Sequence, residues 1–117
     1  MPIEVAAHAG FCMGVRRAVE EATKIARSGV LSCTLGELAH NPTVVDTLRS
    51  MGVPPVHDAQ EAHDIQVLIR SHGVSPDVLE TLERNGCTIV DLTCPFVAKL
   101  HSIVAEGTKD GTPVIMV

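Results

Sequence analysis

The spacing of apolar positions changes period at regular intervals along the chain, and glycines, prolines and small capping residues mark the changes. Ile3–Ala7 reads as a short strand. From Met13 to Arg27 the spacing is helical. Val15, Ala18, Val19, Ala22, Ile25 and Ala26 share one face, charged residues fill the other, and Gly29 is placed to end the helix. Val30–Gly36 reads as a second strand. Asn41 then offers an N-cap with Pro42 at the first helical position, followed by Val44, Val45 and Leu48 and a stop at Gly52. Val53–His57 predicts a third strand, and Ile65–Ser71 a longer, nearly all-apolar fourth. Ser75-Pro76 repeats the cap-and-proline signal, Val78, Leu79 and Leu82 form the stripe to be buried, and Gly86 stops the helix. Cys87–Leu92 reads as a fifth strand, Cys94-Pro95 opens another helix, and Pro113–Val117 begins a sixth strand.

Strands alternating with helices in this way predict βαβ units, hence an α/β fold with three layers (α/β/α) and a mostly parallel sheet. A buried strand such as Val114–Val117 calls for a turn and a covering helix after it, so the pattern predicts a chain cut within a longer protein. The 117 residues allow one domain, or one domain and a piece of the next. With 45% hydrophobic and 20% charged residues there is enough apolar side chain for a core. The 9 Lys and Arg against 14 Asp and Glu, net −5, argue against a nucleic-acid or anionic-membrane surface. Two Phe with no Trp or Tyr also remove the platforms on which single-stranded bases stack. No apolar stretch approaches the roughly 18–20 residues of a membrane span, and MPIEVAAHAG lacks the basic and apolar regions of an export signal. These features predict a soluble, cytoplasmic domain with no nucleic-acid or membrane partner.

Four cysteines, at 12, 33, 87 and 94, form no C-x-x-C pair, which excludes a thioredoxin-like motif and the common zinc-ribbon spacings. Ligands of open parallel sheets bind outside the carboxyl ends of the strands. By that rule Cys12, His40, His72 and Cys94 gather at one edge, each beside a predicted helix start whose free N–H groups and dipole favour thiolate or phosphate. His8 and His57 also fall near carboxyl ends. Cys33 and Cys87 lie within or at the start of strands and read as core thiols. His63 and His101 read as solvated or capping residues, and the Arg16–Arg17 face as solvated. Gly10-Phe11-Cys12-Met13-Gly14 is not G-x-G-x-x-G, and no P-loop occurs, so nucleotide binding has no support. One reading of Cys12, Cys94, His40 and His72 is a Cys2His2 zinc site, structural or hydrolytic, because those donors suit tetrahedral zinc.

Gly10-Phe11-Cys12-Met13-Gly14-Val15, His40-Asn41-Pro42, Ser71-His72-Gly73-Val74-Ser75 and Asp91-Leu92-Thr93-Cys94-Pro95 resemble the motifs of the 4-hydroxy-3-methylbut-2-enyl diphosphate reductase family, in the same order and in register over the whole chain. The resemblance implies three similar α/β domains around a [4Fe–4S] cluster held by three cysteines. Cys12 and Cys94 match two of them. His40 and His72 match histidines that bind the substrate diphosphate. The third cysteine and the proton-delivering glutamate are implied to lie beyond Val117, which leaves no catalytic acid or base within these residues. The resemblance further implies an external electron donor of ferredoxin or flavodoxin type. Residues 1–93 would then form a first domain, and 94–117 the first helix and strand of a second.

Overall fold

The structure is a computed structural model that describes residues 1–117. Four short strands, β1 (Ser32–Leu35), β2 (Pro55–Val56), β3 (Gln66–Ile69) and β4 (Thr88–Asp91), form one wholly parallel sheet in the order β2-β1-β3-β4. The register pairs Cys33 with Val67 and Val67 with Ile89. Four helices accompany the strands: α1 (Met13–Ser28) precedes β1, α2 (Pro42–Ser50) and α3 (Pro76–Arg84) connect strands, and α4 (Pro95–Gly107) follows β4. The α/β architecture, its three layers and the parallel sheet are thus as the apolar periodicity predicts.

Alternation along the strands divides the core into two halves. Leu68 points to one face, where Ala18 and Ala22 of α1, Leu48 of α2, Leu38, Val53 and Leu92 bury themselves. Val67, Ile69, Cys33 and Leu35 point to the other, against Leu82 of α3 and Ala59 and Ala62 of a short 3-10 turn. On α1 the buried residues are Gly14, Ala18 and Ala22, four apart. Small side chains on that line let the helix axis approach the sheet closely. Ser32 and Thr34 are buried polar residues of β1, and each hydroxyl is satisfied locally, on the Val30 and Gly36 carbonyls respectively.

The helix starts agree with the sequence. Asn41 Oδ1 accepts from Thr43 and Val44 N–H at 3.0 and 3.3 Å, and prolines open α2, α3 and α4. The strands are shorter than predicted. Val30 and Leu31 lie exposed ahead of β1, and β2 is reduced to two residues because Pro54 and Pro55 have no N–H to donate to a ladder.

Two predicted strands are absent. Residues 1–12 contain no helix or strand, and Ile3 and Val5 are exposed. Pro113–Val117 is likewise irregular and exposed. Both have strand-like composition, but a strand is completed by a partner for its backbone groups, and neither pairs with the sheet. Cys12 therefore precedes α1 without a strand before it.

Candidate functional site

The carboxyl ends of β1, β3 and β4 give three loops at one edge of the sheet. Extra hydrogen bonds continue the β3–β4 ladder past the strands: Leu92 N–H donates to Ile69 O at 3.1 Å and Cys94 N–H to Ser71 O at 2.7 Å. The loop carrying Cys94 is thereby fixed to the loop carrying His72. That second loop is a tight turn in which Gly73 N–H donates to Arg70 O at 3.0 Å, with Gly73 at φ +74. Its glycine is needed twice, for the left-handed backbone and for space, because a Cβ there would lie 2.8 Å from His101 Cε1. His101, which reads from sequence as a solvated residue, thus stands against the His72 turn.

Cys12 and Cys94 are the N-caps of α1 and α4, both free, and neither side chain caps its helix. Their sulfurs remain available at the positive ends of two helices, the setting that favours thiolate. The two helix starts meet: a Cβ on Gly14 would fall 2.7 Å from Cys94 Sγ, so Gly14 leaves the room in which that sulfur sits. Arg17 Nη1 donates to Thr93 O at 3.4 Å and ties α1 to the residue before Cys94. The Arg17 side chain is exposed, as expected, but it is not merely solvated. Asp91 Oδ1 accepts from both the N–H and the hydroxyl of Thr93, which holds the same loop.

His40 and His72 come together from different loops. Their rings stack with centroids 5.7 Å apart and planes 17° from parallel. His40 Nδ1 lies 3.5 Å from Glu37 Oε2, with both side chains largely exposed. His72 is held below the ordinary imidazole range, first by partial burial, then by the charges of Arg70 and His40. The shift favours the neutral imidazole, an N–H donor that can take up a proton from solvent when an anion arrives. Beside it opens a cleft of about 850 Å³ bounded by Gly73, Thr93, His101, Ser102 and Met116.

Cys33 lies in the core, as the sequence predicts, while Cys87 is only partly buried and packs against its margin. Cys33 is 2% exposed and its thiol is pushed up to about 11, by burial first and then by Cys87. His57 is exposed at the end of β2, its backbone N–H on Glu61 Oε2, and His8 is exposed within the first 12 residues. No three Cys, His, Asp or Glu side chains converge on one point. Cys12, Cys94, His40 and His72 consequently do not form a tetrahedral Cys2His2 zinc site. Two free cysteines beside a glycine-made space do fit part of the ligand set of a larger, cysteine-bound metal group.

Among proteins of known name, this chain is 43% identical over 118 residues to a 4-hydroxy-3-methylbut-2-enyl diphosphate reductase of Geobacter sp. (strain M21), covering 100% of the chain and 42% of the relative. It is 41% identical to the enzyme of that name from Aquifex aeolicus, covering 98% of the chain and 40% of the relative. A solved structure of (E)-4-hydroxy-3-methyl-but-2-enyl diphosphate reductase superposes with a TM-score of 0.75 at 40% identity, over 93% of this chain and 39% of that one. The corresponding reductase from Plasmodium falciparum gives 0.81 at 27% identity, over 89% and 33%. The chain thus spans a third to about two fifths of the length of these relatives. The sequence model of the LytB protein family matches residues 3–117, and the chain belongs to that family.

Proposed function

We propose that these residues form the amino-terminal part of a 4-hydroxy-3-methylbut-2-enyl diphosphate reductase, with Cys12 and Cys94 as two of three thiolate ligands to a [4Fe–4S] cluster and His40 and His72 as diphosphate-binding residues. The observation that carries this reading is the pairing at one sheet edge: two free, helix-opening cysteines on adjoining helix starts, and a stacked histidine pair on the loops beside them. When bound, such a cluster supplies the electrons for reductive loss of the substrate hydroxyl as water, giving isopentenyl and dimethylallyl diphosphates.

The residues of this chain have the remaining tasks. The starts of α1 and α4 hold the Cys12 and Cys94 side chains at this edge, neither of them spent on capping its helix. Gly14 keeps the space around Cys94 Sγ, and the Cys94–Ser71 hydrogen bond sets the distance between the metal-binding and anion-binding loops. His72, its neutral form favoured when free, donates an N–H to a diphosphate oxygen and takes up a proton from solvent as the anion binds, while His40 offers the second imidazole. The third thiolate and the acid that protonates the product belong to residues outside this chain. α4 buries no side chain against the sheet, which supports assigning 94–117 to the opening of a second α/β unit and 1–93 to the first. Electrons come from an external donor of ferredoxin or flavodoxin type, and free cysteines of this kind belong in the reducing cytoplasm.

The test is anaerobic expression of the full-length protein. It should be brown and oxygen-sensitive, and should reduce 4-hydroxy-3-methylbut-2-enyl diphosphate with a chemical electron donor. A colourless protein that stays inactive after cluster reconstitution overturns the reading.

A further inference from the structure

Arg70 follows β3 directly and opens the turn that carries His72. Its Nε is buried and has no hydrogen-bond partner, and none of the ion pairs in the structure includes its guanidinium. Of the carboxylates that line the same two clefts, Asp58 accepts from Gln60 N–H and Asp91 from Thr93, and neither they nor Asp77 forms an ion pair with the guanidinium. Nη1 rests against Gly36, where φ is +69 and a Cβ would lie 2.7 Å away. Gly36 begins the loop that leads to His40. The guanidinium therefore sits between the two histidine-bearing loops, on the wall shared by the cleft beside His72 and a second crevice of about 370 Å³ beside Gly36 and Asp77. Arg17, which also reaches this edge, is already engaged with the Thr93 carbonyl.

A buried guanidinium nitrogen without an acceptor is a rare and costly arrangement, and it points to an acceptor that arrives with a ligand. The planar fork of Arg suits phosphate oxygens, and its fixed charge complements the imidazoles of His40 and His72. We propose that Arg70 is a third anion-contacting residue, its guanidinium binding a diphosphate oxygen alongside His40 and His72, with Gly36 as the position that gives it room. This rests on the diphosphate reading above and adds to it a fixed positive charge.

The experiment is calorimetric titration of the full-length protein with inorganic diphosphate. Arg70→Met should bind about tenfold to 150-fold more weakly, the range for one lost charge-assisted hydrogen bond. Arg70→Lys, which keeps the charge and loses the fork, should lose less. Gly36→Ala should weaken binding with Arg70 still present, because the added Cβ displaces Nη1. If Arg70→Met does not fold, Arg70→Lys and the Nε–H resonance of arginine-labelled wild type decide, the resonance being expected to shift as diphosphate is added. Loss of binding in His72→Ala with wild-type affinity in both Arg70 variants and an unmoved Nε–H resonance overturns the role of Arg70 alone. A wild-type protein that binds no diphosphate overturns both this inference and the reading beneath it.

Discussion

Helix α1 buries Ala18 and Ala22 in the core and Gly14 against Cys94, whereas α4 buries no residue and leaves Phe96 71% and Ile103 57% exposed. Yet the two helices open alike, each on a free cysteine with no side-chain cap. The difference separates two properties that are easily merged. What a helix buries decides how much it stabilises the fold. What its first residue can reach is decided by the hydrogen bonds of the loop before it, here Cys94 N–H to Ser71 O. A helix with almost no share in the core can still present its thiol as firmly as one that anchors it.

The largest effects should ignore the difference in packing. Cys12→Ser and Cys94→Ser in the full-length protein should each abolish the chromophore, while Cys33→Ala and Cys87→Ala keep it; visible absorbance after anaerobic purification reads the result. If Cys94→Ser stayed brown, the equivalence of the two helix starts would be broken. Next, packing should reappear in stability. Ala22→Asp places an unpaired charge at a fully buried site and should cost about 3–5 kcal/mol in urea unfolding of this chain. Ile103→Asp should stay within about 0.5 kcal/mol. Gly14→Ala is expected to cost about 1–2 kcal/mol. Overpacking against Cys94 Sγ and Cβ, at 2.7 and 2.8 Å, outweighs the roughly 1 kcal/mol that alanine gains in helix propensity. A net gain instead would mean that α4 swings freely away from α1.

A further effect is a pH dependence confined to the core. The folded Cys33 thiol ionises near 11, above its ordinary value of 9.0. The contribution is fully present below pH 9 and is lost as pH rises through the folded value, because only the unfolded thiol ionises between them. Stability should therefore fall between about pH 9 and 11, and Cys33→Ala should flatten that fall.

Much of this could be read from the sequence because the signals were local. Asn41-Pro42 and Ser75-Pro76 mark helix starts through bonds and backbone angles of neighbouring residues, and the Gly14–Ala18–Ala22 line follows from helical spacing alone. His40, His72 and Cys94 follow strands of the parallel sheet, as its topology predicts, whereas Cys12 follows no strand and is linked to the edge by the packing of Gly14 against Cys94. The failures were non-local. Ile3–Ala7 has a strand's pattern and no partner, and Pro54 and Pro55 shorten β2 by withholding donors from a distant ladder. Arg17 reaching Thr93, His101 against Gly73, and Arg70 against Gly36 are contacts between residues 28 to 76 positions apart. No spacing rule announces them. The one available hint was glycine at 36 and 73, where a close approach could have been suspected.

The sheet's two borders also differ, and this bears on what the fold can join. β2 closes one side with a two-residue strand whose prolines make it a poor template for any further chain. On the opposite side β4 presents Thr88–Asp91 with the outer hydrogen-bonding row of its backbone unpaired. Lateral growth is therefore polar: an added strand, from the same polypeptide or from a neighbouring molecule during synthesis, finds a usable border only along β4. That border leads into the loop of Cys94, so whatever settles there also shields the approach to the site.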